Sequence, residues 1–201
     1  MRLFWILTGL ALLSDPVDAA DPAKAAIAED KAARLEDKVV NDAPPPNKAE
    51  TLTPAEAQAV DPAGQAALDD SITCLARTVY WEAKGADAED MAAVASVVLN
   101  RLGSEGFPDT ICGVVKQGVE SKACQFSWWC DGRPDQVEEP QRYGIAKEIA
   151  RKALNQQLKD STGGALYFHD RNVRPDWAKA YRRTAQTQHF LFYKPNQALA
   201  R

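Results

Sequence analysis

Glu82 is placed where a carboxyl group can donate a proton. It lies in the run Cys74-Leu75-Ala76-Arg77-Thr78-Val79-Tyr80-Trp81-Glu82-Ala83-Lys84-Gly85. Ile72, Leu75, Ala76, Val79, Tyr80 and Ala83 recur there at helical spacing, with Ser71 as N-cap and Gly85 as the stop. The spacing predicts an amphipathic helix with one buried stripe and Glu82 at the border of that stripe, in the last turn. Partial burial disfavours the charged carboxylate, and the negative end of a helix pushes the same way. A carboxyl still protonated near neutral pH is what general-acid cleavage of a glycosidic bond needs. The competing reading is a surface glutamate paired with Arg77 or Lys84.

The other chemistry-bearing residues are few. There are four cysteines and two histidines. Cys74, Cys112, Cys124 and Cys130 include no C-x-x-C pair, which argues against zinc, and no metal or cofactor is expected. As disulfides they allow three pairings. Cys124 and Cys130 stand close enough to close a short loop, and Cys74 with Cys112 would then tie the Glu82 helix to a later segment.

The elements that must position these residues begin near Asp69. After the Glu82 helix, Asp87 caps a second helix through Leu102, with Met91, Val94, Ala95, Val98, Leu99 and Leu102 inward. A short helix over Asp109–Lys116 carries Cys112. Cys124–Asp131 reads as an extended or hairpin element. A further helix spans Gln141–Leu158, and Ala165–His169 and His189–Tyr193 read as strands around a short helix at Trp177. The expected class is α+β, mainly helical, with a few short antiparallel strands.

Residues 1–19 read as a signal peptide: Arg2, then the apolar run Leu3–Leu13, then Val17-Asp18-Ala19 as a cleavage site. That run is short for a bilayer span, so no permanent membrane span is expected after cleavage. The expected location is exported, in the periplasm or cell-wall space, where cysteines oxidise. Residues 20–68 read as an alanine- and proline-rich, largely flexible linker and a possible regulatory docking arm. Within it, Asp21-Pro22 starts a helix to about Val40 with apolar positions too sparse to bury much. Pro44-Pro45-Pro46 stiffens a connector, and Thr53-Pro54-Ala55-Glu56 has capping-box spacing. Residues 20–70 carry a balance of −6 and residues 71–201 one of +3. No concentrated basic stripe for nucleic acid is present.

The order of motifs over about residues 72–194 resembles the SleB/CwlJ type of cell-wall hydrolases, the spore cortex-lytic enzymes and their relatives. Leu75-Ala76-Arg77-Thr78-Val79-Tyr80-Trp81-Glu82-Ala83-Lys84-Gly85 is similar to that family's Y-x-E-A-[RK]-G run. Ala93-Val94-Ala95-Ser96-Val97-Val98-Leu99-Asn100-Arg101 resembles its L-N-R helix. Phe107–Val115, Cys124–Gly132, Phe168-His169 and Val173–Trp177 follow in order. The sequence departs at Ala86, where relatives often carry a second acid, and in the length of the ending at His189–Tyr193.

The resemblance implies a lysozyme-like or lytic-transglycosylase-like domain over residues 69–201. It implies cleavage of peptidoglycan glycan strands between N-acetylmuramic acid and N-acetylglucosamine, with Glu82 as the catalytic residue. Resemblance and sequence proximity favour Cys74–Cys112 and Cys124–Cys130. Glycosidases usually use two carboxylates, and Asp131, Asp170 and Asp176 are the candidates for a second. A lytic transglycosylase needs one: it protonates O4, then takes the proton of the muramic 6-hydroxyl as a 1,6-anhydro ring closes. That is the preferred expectation, with a hydrolytic muramidase or a non-catalytic peptidoglycan-binding module as alternatives. A zinc amidase lacks the necessary histidines. Gln125, Ser127, Asp131, Phe168 and His169 are expected to face Glu82 across a substrate groove.

Overall fold

The computed structural model describes residues 21–121 and 124–196, so the expected signal segment lies outside the described residues. Six helices precede a small sheet: α1 Pro22–Val40, α2 Pro54–Ala59, α3 Ser71–Glu82, α4 Ala88–Arg101, α5 Ile111–Lys116 and α6 Pro140–Leu154. The strands are β1 Tyr167–Asp170, β2 Tyr181–Gln186 and β3 Phe190–Pro195. They form an antiparallel sheet in the order β1-β3-β2. The α+β, mainly helical class is the one expected.

Helix α3 is the axis. Its cap is Asp70 rather than Ser71, the side chain accepting from Thr73 N–H. Every residue from Ser71 to Tyr80 is buried, so the helix is enclosed all round and not along one stripe. The face read as solvent-exposed is covered by the segment read as a flexible linker. Helix α1 buries Ala28, Ala32, Leu35 and Glu36, and Leu52, Ala57 and Val60 join the core. The physical reason is that alanine packs helices closely without large side chains, so sparse leucines understate what α1 can bury. Its cap at Asp21 and the capping box of Thr53 and Glu56 are as expected.

Three further differences have local causes. Cys124–Asp131 is no hairpin; Ser127–Trp129 forms a 3-10 turn, closed by Cys130 N–H on the Ser127 carbonyl, with Trp128 buried. Helix α6 stops at Leu154 because the Asn155 amide pairs both backbone groups of Leu52 at 2.9 Å, and Gln156 turns to positive φ. Strand β2 was not expected: Arg182, Arg183 and Gln186 hide any apolar alternation, and pairing with β3 holds it. The disulfides are Cys74–Cys112, joining α3 to α5, and Cys124–Cys130.

Candidate active site

Glu82 closes α3 at the junction of two depressions. The larger, about 670 Å³, is lined on its far side by Asp131 and residues 133–138 together with Ser127 and Trp128. The smaller, about 420 Å³, is lined by Arg101, Gln125, Phe168, His169 and His189 among others. Glu82 and Lys84 belong to both, so the two form one groove with the carboxyl at its middle.

Helix α3 also fastens the far wall of the larger depression. Arg77 and the Trp81 indole donate to the Asp135 carbonyl, at 2.6 and 3.2 Å. The Tyr80 hydroxyl accepts the N–H groups of Glu138 and Glu139, each at 3.1 Å. Arg77 is fixed in turn by a buried ion pair with Asp61 at 2.9 Å, and Asp61 also accepts the Tyr143 hydroxyl. Burial alone would raise the Asp61 pKa, but the hydrogen bonds from Ala66, Tyr143 and Arg77 outweigh it and hold the carboxyl below its ordinary value. Val137 N–H reaches the Gly64 carbonyl, and a Cβ on Gly64 would strike Val137 at 2.3 Å. Residues 61–66 are therefore part of the site's support.

The partners considered for Glu82 are engaged elsewhere: Arg77 with Asp61, and Lys84 with Glu138. No hydrogen bond to the Glu82 carboxyl is formed among the described residues, and burial pushes its pKa up to about 7 against the opposing charge of Arg101. Arg101 is itself buried. Its Nε donates to the Leu166 carbonyl at 2.7 Å, its cation lies 4.9 Å from the Phe126 ring centre, and its Nη1 has no hydrogen-bond partner among the described residues. Burial lowers its pKa to about 10. The result is a protonatable carboxyl with a shielded positive charge nearby.

The five residues expected across the groove all line it. Ser127 and Asp131 face the larger depression, and Gln125, Phe168 and His169 the smaller. Phe168 packs on Phe190 and Phe192. Both His169 nitrogens are taken, Nδ1 by the Asp170 carbonyl and Nε2 by the Tyr193 hydroxyl, so its ring buttresses the wall. Of the second-acid candidates, Asp131 and Asp170 line the groove. Asp176 is exposed, pairs with Lys179 and lines neither depression. Sequence reading gave no role to Arg101 or Asp90. Their signal is positional: Asp90, Val94, Val97 and Arg101 are spaced to share one helical face, so two charges sit on a buried stripe.

A model of the cell wall hydrolase family matches residues 85–193, more than half of the chain; the match begins three residues after Glu82. The spore cortex-lytic enzyme of Halalkalibacterium halodurans is 36% identical over 109 residues, 53% of this chain and 28% of the relative. That of Bacillus subtilis is 32% identical over 102 residues, 50% of this chain and 29% of the relative. The chain thus spans about three tenths of the length of these relatives. The solved catalytic domain of the germination-specific lytic transglycosylase SleB from Bacillus anthracis superposes with a TM-score of 0.50 at 29% identity, covering 62% of this chain and 93% of that one.

Proposed function

The chain belongs to the cell wall hydrolase family, and on that premise we propose that it cleaves the MurNAc–GlcNAc bond of peptidoglycan as a lytic transglycosylase, with Glu82 as the acid. The observation that carries this reading is the Glu82 carboxyl: it sits mid-groove without an ion-pair partner among the described residues, and burial pushes its pKa up to about 7. Such a group keeps its proton near neutral pH and can pass it to the bridging O4. A groove extending to both sides suits a polymer bound across the scissile bond. In the simplest cycle the same carboxylate then takes the 6-hydroxyl proton as O6 closes on C1. The SleB neighbour bears the name lytic transglycosylase, which favours this product.

Asp131 on the far wall is the observation that favours a hydrolytic muramidase, since it supplies a second carboxylate. Mass spectrometry of muropeptides separates the two: 1,6-anhydro ends are expected, whereas reducing muramic ends alone would make the enzyme a hydrolase. A Glu82→Gln protein that still binds cell walls and releases nothing is the expected control. A wild type that binds walls without releasing fragments would leave only the binding-module reading. Export to the cell-wall space is part of the proposal, supported by the two disulfides and the substrate's location.

A further inference from the structure

The cations of this chain are unevenly satisfied. On α1, Lys24, Lys31, Arg34 and Lys38 each meet an acid. Residues 171–194 carry six cations against one acid, more than the whole excess of residues 71–201. Lys179 pairs with that acid, Asp176, and Arg171 donates to the Gln188 carbonyl, which leaves Arg174, Arg182, Arg183 and Lys194 with no ion-pair partner among the described residues. Arg182 and Arg183 are exposed on β2, the outer strand of the sheet. Arg182 stands directly opposite Lys194 of β3. Like charges across a strand pair oppose the pairing. One cation is enough to keep an edge from joining other chains, so edge protection does not account for the second.

A row of rings joins this patch to the groove. His169 lines the smaller depression. Its ring lies 5.5 Å from that of Trp177, which lies 5.5 Å from that of Tyr181, the neighbour of Arg182. By register, His169, Tyr193, Tyr181 and Arg183 share one face of the sheet. Trp177 and Tyr181 are half-buried. The cations therefore begin two ring spacings from the wall of the groove. An extended peptide covers about 3.3–3.6 Å per residue, so about three or four residues cross that gap. In peptidoglycan, MurNAc bears on its lactyl group a short peptide with free carboxylates, and the planar fork of arginine matches a carboxylate.

We propose that Arg174, Arg182 and Arg183 hold the stem-peptide carboxylates of a strand seated in the groove, so that the enzyme selects peptidoglycan with anionic stems; this rests on the groove being the glycan site. The glycan lies at Glu82, and the peptide runs over Trp177 and Tyr181 to the cations.

Binding to the Glu82→Gln protein tests this. The ligand is a GlcNAc–MurNAc tetrasaccharide bearing tetrapeptide stems, either as free acids or with every stem carboxylate amidated. The free acid should bind about tenfold tighter at low salt, the range of a few exposed ion pairs. The gap should close in about 1 M salt, where charges are screened beyond about 3 Å. Adding Arg182→Gln and Arg183→Gln should remove most of the gap, and since both side chains are exposed, melting should not change. Equal affinity for the two ligands overturns the proposal, as does a gap that survives the double substitution. Binding of phosphatidylglycerol vesicles that needs the two arginines, beside equal sugar affinities, would assign the patch to a lipid surface instead. Equal affinities with Glu82→Gln inactive remove only the stem site; a tenfold gap with Glu82→Gln active supports the stem site and removes the acid. Failure of both ligands to bind removes the groove and the stem site together.

Discussion

Glu82 ends a buried helix and carries a proton that burial keeps in place up to about pH 7. The sign of the linkage follows. Its folded-state pKa lies above the unfolded value of 4.5, so the native state binds more protons between those values and loses stability as pH rises from about 4.5 to 7. Glu82→Gln removes that term. Its stability relative to wild type should rise through this window and level off above it, by on the order of 3 kcal/mol. Urea titrations at pH 4 and pH 8 measure it; an equal gap at both would show that the carboxyl ionises freely in the fold. At this scale the sequence was informative because a lone acid beside an apolar stripe has few explanations. Arg101 and Asp90 lie on the inward face of α4 as well, yet charges there read as helix-end residues until β1 and the turn before β3 supply their partners.

At the scale of elements, α3 was legible and its surroundings were not. Periodicity located α3, α4 and α6, because each has an inward face that repeats. It could not show that Arg77 points into Asp61, since that contact joins a helix to a segment read as solvent-exposed. Asp61→Ala should cost about 3–5 kcal/mol, the usual consequence of leaving a buried cation unpaired, with the groove loosened through Asp135; calorimetry and KM report the two effects. Gly64→Ala should be destabilising as well, since φ is +66° and Val137 blocks the added methyl. A melting temperature at or above wild type would mean that residues 131–138 yield freely. Strand β2 escaped notice because its polar face is the exposed edge of the sheet, where charge is favoured.

For the whole molecule, the N-terminal 22–68 segment is a structural part of the fold. A chain beginning at residue 69 would uncover the α3 face packed by α1 and strand Arg77 without Asp61. It should melt without a cooperative transition, whereas a flexible spacer could be removed at no cost. The 38-residue separation closed by Cys74–Cys112 contributes about 4 kcal/mol by chain entropy. Replacing both cysteines with serine should therefore lower the urea midpoint more, by just under twofold, than replacing Cys124 and Cys130, which close a span of 6 and contribute about 2 kcal/mol by the same relation. Composition misjudged this segment because alanine-rich, charged helices look alike whether they are docked or free.

Trp81, Tyr80 and Arg77 hang the loop at Asp135–Glu139 from the same rod that ends in Glu82. One helix thus carries both the carboxyl and the anchors of the facing loop, so any displacement of α3 moves the two together, and a substitution at Arg77 or Tyr80 shifts the wall without touching Glu82.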